Sequence, residues 1–89
     1  MWKESQEVEK MIGQEATALA LLFRRGQSWQ EAEKMHQAIA TYFKLVEYFP
    51  QTDEAQRAQE QLLGLAQRFE AEGKVYMATH IYNRLASLP

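Results

Sequence analysis

Cysteine is missing from this chain of 89 residues. That excludes disulfides, thiolate zinc sites and cysteine nucleophiles, and leaves the compartment open. Proline is nearly missing: Pro50 and Pro89 are the two present, each at the end of a helical pattern. No segment alternates polar and apolar residues as a half-buried strand would. The glycines stand singly, so none builds a phosphate-cradling loop. Excess positive charge is also lacking. The net charge is -2, and adjacent cations occur at Arg24-Arg25 alone. A nonspecific nucleic-acid binder needs clustered Lys and Arg, so no nucleic-acid partner is expected. The arginine pair is read as complementing the dipole of a helix that ends just after it. The longest apolar run, Ala16 to Phe23, includes Thr17 and is far shorter than the about 20 residues a spanning helix needs. No apolar stretch follows Met-Trp-Lys-Glu-Ser at the start, so it does not read as a secretory signal. A cytoplasmic and a periplasmic setting both fit. The chain reads as one domain, either whole or part of a longer protein.

What is present is helical periodicity in a globular composition, 46% hydrophobic and 25% charged. A chain this size buries roughly 60–65% of its unfolded surface, so stability is expected to be modest. The first predicted helix covers Ser5 to Arg25. Its stripe is Val8, Met11, Ile12, Glu15/Ala16, Leu19, Leu22 and Phe23, and Gly26 follows as a cap. The second covers Trp29 to Phe49, with Ser28 and Glu31 spaced as a capping box. Its face is Ala32, Met35, Ile39, Tyr42, Phe43, Val46 and Phe49, and Pro50 stops it. The third covers Asp53 to Glu72, capped by Thr52 or Asp53, and Gly73 ends it. The fourth covers Lys74 to Leu88, with Val75, Ala78, Ile81, Tyr82 and Leu85 on one side. Short connections make neighbours antiparallel. The expected fold is all-α: two antiparallel helical hairpins, at about 5–49 and 53–88, within one domain spanning 1–89.

Leu62, Leu65, Ala66, Phe69, Gly73, Ala78, Tyr82 and Leu85 fall where a two-helix repeat needs bulky, small, turn and aromatic residues. The second hairpin thus resembles a tetratricopeptide repeat, with Pro89 one position early for its closing proline. The first hairpin matches in Ala38, Ile39, Tyr42, Leu45 and Pro50. Upstream its register breaks, because Gly26 lies twelve residues before Ala38 where the repeat expects five. This hairpin is therefore read as degenerate or as a cap, with a lengthened second helix. The junction Tyr48-Phe49-Pro50-Gln51-Thr52 resembles joints in bacterial cell-envelope repeat proteins, such as outer-membrane assembly lipoproteins.

That resemblance implies a right-handed stack whose first helices line a concave groove. On the third helix the groove positions are Leu63, Gly64, Gln67 and Glu70. On the first they are Gly13, Ala16, Ala20 and Phe23. Leu63 and Gln67 stand where clamp-type members carry Asn and Lys, which argues against a carboxylate clamp. Gly64 either admits a partner backbone or packs closely on another helix of the same chain. The small-sided, apolar strip suits a peptide or a helix. Open ends of a stack also invite stacking. Trp2, Val8 and Ile12 at one end, and Ile81, Leu85 and Leu88 at the other, are candidates for homo-oligomer contacts.

Signs of chemistry are sparse. Glu33 and His36 make one Glu-x-x-His step, half of what a di-metal bundle needs, and Met77 replaces the glutamate before His80. Asp53 is explained by capping, and Glu70 and Glu72 diverge on a helix. Tyr42, Phe43, Tyr48 and Phe49 lack the basic surround of a base-stacking platform and are read as packing residues. No enzyme, cofactor, catalytic residue or metal site is expected. The expected function is a noncatalytic scaffold that binds a protein or peptide partner; the alternative is a self-assembling segment of a repeat array.

Overall fold

The computed structural model describes the backbone of residues 2–88 and the side chains of residues 17–88. The fold is all-α, with four helices: α1 (Trp2–Glu31), α2 (Met35–Tyr48), α3 (Asp53–Ala71) and α4 (Val75–Ala86). α1 pairs with α2 and α3 with α4, so the chain is two helical hairpins. They join where α3 packs along α2 and touches α1. The stripe positions Trp2, Val8, Met11, Ile12 and Glu15, and the groove positions Gly13 and Ala16, have side chains outside the described residues.

The first turn lies elsewhere than the glycine suggests. α1 runs through Gly26 and Ser28 to Glu31, and neither the glycine cap nor the capping box exists. Arg24 and Arg25 therefore lie inside the helix, away from its last turn, which holds no basic residue. The chain reverses at Glu33, whose φ is 60°. The amide of Lys34 donates to the carbonyl of Trp29 at 2.9 Å, and that of Glu33 to Gln30 at 3.0 Å. These two bonds form a Schellman closure, which satisfies carbonyls left over at the helix end. Forty positions later the same closure recurs. Lys74 donates to Phe69 at 2.7 Å and Gly73 to Glu70 at 3.1 Å, with Gly73 at φ 79°. Glu33 is thus five residues before Ala38, as Gly73 is before Ala78. The turn-to-alanine spacing is the same in both hairpins, and the extra length belongs to α1, with 30 residues against 14 in α2.

Gly26 has a different task. A Cβ there would lie 2.6 Å from Cε1 of Tyr42, closer than atoms pack. The missing side chain lets α1 close onto the Tyr42 ring, which is fully buried. Phe23 packs against the same ring, with centroids 5.8 Å apart and planes at 48°. The Tyr42 hydroxyl donates to Gln30 Oε1 at 2.8 Å, so the buried phenol keeps a partner. Around it the core gathers Leu19, Ala38, Ile39, Phe43, Leu45 and Val46 from hairpin one. Ala58, Leu62, Leu65, Ala66, Phe69, Ala78 and Ile81 come from hairpin two. Ile81, expected at an open end, is fully buried. Tyr48 and Phe49, expected to pack, are exposed at the junction. There Thr52 caps α3: its hydroxyl accepts from the Ala55 amide at 3.1 Å.

Two consequences are measurable. Gly26→Ala is expected to lower stability by about 1–3 kcal/mol in urea unfolding, because the ring must move. Burial first, and the nearby Glu31 second, push the Tyr42 hydroxyl up from 10.0 to about 12. A raised folded-state pKa stabilises fully below the unfolded value and is lost as pH climbs through the folded one. Thermal melts are therefore expected to lose stability between about pH 10 and pH 12, and Tyr42→Phe to flatten that loss.

Candidate groove between the third and fourth helices

Leu63, half-exposed at 45%, lies beside the outer side of α4. With Gln56, Gln59 and Glu60 of α3, and Tyr82, Leu85 and Ala86 of α4, it lines an open groove of about 520 Å³. These residues sit together because α3 positions 56, 59, 60 and 63 share one helix face, as do α4 positions 82, 85 and 86. The groove joins Leu63 to Leu85, two residues that the sequence assigned to separate surfaces.

The forty-residue offset explains why this groove is open. Leu19, Phe23, Tyr42, Leu45 and Val46 occupy the places in hairpin one that Gln59, Leu63, Tyr82, Leu85 and Ala86 occupy in hairpin two. In hairpin one that face is closed: Leu19, Tyr42, Leu45 and Val46 are buried in the core shared with α3. In hairpin two its counterparts are half-buried or exposed. The molecule thus shows the same type of surface twice, once covered by a helix and once bare.

The other expected site residues divide. Gly64 is exposed, and among the described residues a Cβ there would meet nothing within 4 Å. Close packing against the described residues does not explain it. Gln67 is exposed one turn on. Glu70 lies near enough to Tyr82 to act on its hydroxyl: burial first, then Glu70, raise the Tyr82 pKa. On α1, Ala20 is exposed and Phe23 is committed to Tyr42. Gln56, Gln59 and Glu60 of α3, and Tyr82, Leu85 and Ala86 of α4, are the groove residues that sequence reasoning left out of the site. The forty-residue offset is the signal that finds those of α4.

Polar links cross between hairpins nearby. Arg68 Nη2 donates to Glu33 Oε2 at 3.2 Å, and its Nε to Glu72 Oε2 at 3.4 Å. Arg84 pairs with Glu47 and lays its guanidinium over the Phe43 ring, 3.9 Å from the centroid. Glu33, in the turn and bound to Arg68, makes no helical step with His36. Among the described residues no three His, Asp or Glu side chains gather to hold a metal ion, and no helix is long and apolar enough to cross a membrane.

Gly64→Ala is expected to stabilise the free protein by about 0.5–1 kcal/mol in denaturant unfolding, since a solvent-facing helical glycine costs entropy without packing. A loss of stability would show an unrecognised contact. No family model matches this chain, and neither does any curated protein or solved structure.

Proposed function

We propose that the chain is a noncatalytic binding scaffold that accepts an amphipathic helix in the groove between α3 and α4. One observation carries the reading: the equivalent face of hairpin one is already covered, and its cover is α3. The chemistry of α3 therefore describes the occupant. Its buried residues are Ala55, Ala58, Leu62, Leu65, Ala66 and Phe69, and the first four run from small residues to leucines at steps of three and four. Small residues let a helix approach closely, and leucines fill what remains. Leu63, Tyr82 and Leu85 supply the apolar floor, and Gln56, Gln59 and Glu60 a polar rim.

The tetratricopeptide resemblance supports the same reading over more residues than the sequence first offered. With the turn at Glu33, Leu22, Gly26, Trp29, Ala38, Tyr42 and Leu45 share the spacing of Leu62, Ala66, Phe69, Ala78, Tyr82 and Leu85. We read both hairpins as repeats of that kind in a right-handed stack. Stacks of such hairpins bury their faces only against a neighbour.

A second copy is the weaker occupant. Its α1 would present Ala18 and Leu22 where α3 presents Ala58 and Leu62, but Arg25 where α3 has Leu65. The cross-hairpin ion pairs also have no counterparts. Arg68 and Glu33 become Ser28 and Gly73, and Arg84 and Glu47 become Lys44 and Ser87. Head-to-tail stacking would bury an arginine and gain neither pair.

The test uses a synthetic peptide of residues 51–73 as the occupant, read by fluorescence anisotropy. Saturable binding is expected, lost in a peptide carrying Leu62→Glu and in protein carrying Leu63→Glu, with protein helicity unchanged. Binding that survives Leu63→Glu in the folded protein overturns the groove. Light-scattering mass that rises with concentration and falls to monomer in the Leu63→Glu protein would instead make a second copy the occupant.

A further inference from the structure

The chain has two histidines, forty-four positions apart, and the fold brings both to one cleft. His36 lies at the start of α2 and His80 midway along α4. No Cα of α2 comes within 8 Å of one in α4, so side chains alone span the space between them. The cleft holds about 310 Å³ and is lined by His36, Ile39, Ala40, Tyr76, Met77, His80 and Arg84. Met77 precedes His80 by three positions, which places thioether and imidazole on one helix face. Both imidazoles are exposed, so neither is fixed by packing.

We propose that this cleft binds a copper ion through His36, His80 and Met77. The donor set selects the ion. No carboxylate lines the cleft, so hard calcium and magnesium ions find no ligands. Two imidazoles and a thioether suit a soft late-transition ion, copper(I) above all, whereas zinc sites favour thiolate, imidazole or carboxylate. Arg84 does not repel the ion as a free cation would, because Glu47 neutralises it and the Phe43 face holds it at one end of the cleft. Ile39 and Ala40 supply an apolar wall. The bound ion ties hairpin one to hairpin two across the gap that their backbones leave. The groove between α3 and α4 takes no part.

The test is anaerobic titration of the full chain with copper(I) against a chromophoric chelator, with zinc(II) for comparison and thermal melts beside both. One copper(I) per chain is expected, with a rise in melting temperature. H36Q and H80Q each weaken binding by about tenfold or more and lose that rise, while their metal-free melts match the wild type. M77L weakens copper(I) and leaves any zinc(II) binding unchanged. Failure of the wild type to compete with the chelator overturns the site. So does wild-type affinity in both histidine variants, which places the ion elsewhere, and an unchanged M77L removes the thioether from the assignment.

Discussion

The contact between Gly26 and the Tyr42 ring governs the arrangement of the first hairpin, and through it the rest. Because α1 lacks a side chain at that point, the ring lies between the helices and not outside them. The ring then orders its surroundings: Phe23 tilts against it, and Gln30 takes its hydroxyl. With Tyr42 and Leu45 buried beside Val46, hairpin one offers a continuous apolar side, and α3 packs on it. Hairpin two repeats the scheme with Ala66 in place of Gly26 and a half-buried Tyr82 in place of Tyr42. The difference between a closed face and an open one lies less in the residues than in whether a following helix is there.

Much of this was legible in the sequence, and the failure is instructive. The helical class, the α2–α3 junction and the second hairpin follow from period, Pro50, Thr52 and Gly73, each used in its commonest way. The first hairpin misleads because glycine has two uses. Gly26, after two arginines, carries every local sign of a helix end, while its real use is a close approach to a residue sixteen positions on. Meanwhile the true turn residue, Glu33, takes the left-handed conformation without being glycine. An L side chain there costs roughly 1–2 kcal/mol, so local rules favour other positions. Only the offset between Tyr42 and Tyr82, or between Lys34 and Lys74, reveals the turn from sequence.

The candidate site was legible in a similar proportion. Leu63 is apolar and off the core stripe, which marks it as a surface residue to explain. Phe23 was assigned both to the core stripe and to the groove, and the Tyr42 ring across the hairpin is what it packs against. Glu70 was placed in the groove, and nothing in its own helix points to Tyr82, the α4 residue whose pKa it raises. Pairings between helices leave no trace in single-helix periodicity. They appear once the two hairpins are aligned on their turns.

Apart from where α3 touches α1, each helix packs against its neighbours in sequence. Such local wiring makes the search for the native state short. Chains dominated by nearby contacts fold in roughly microseconds to milliseconds. Each hairpin also holds its own turn closure and its own aromatic filler, so folding has two independent starting points. On a ribosome, hairpin one holds its turn closure and its contacts to the Tyr42 ring before α3 emerges. Its apolar side then waits, bare, for the one helix that is next in line.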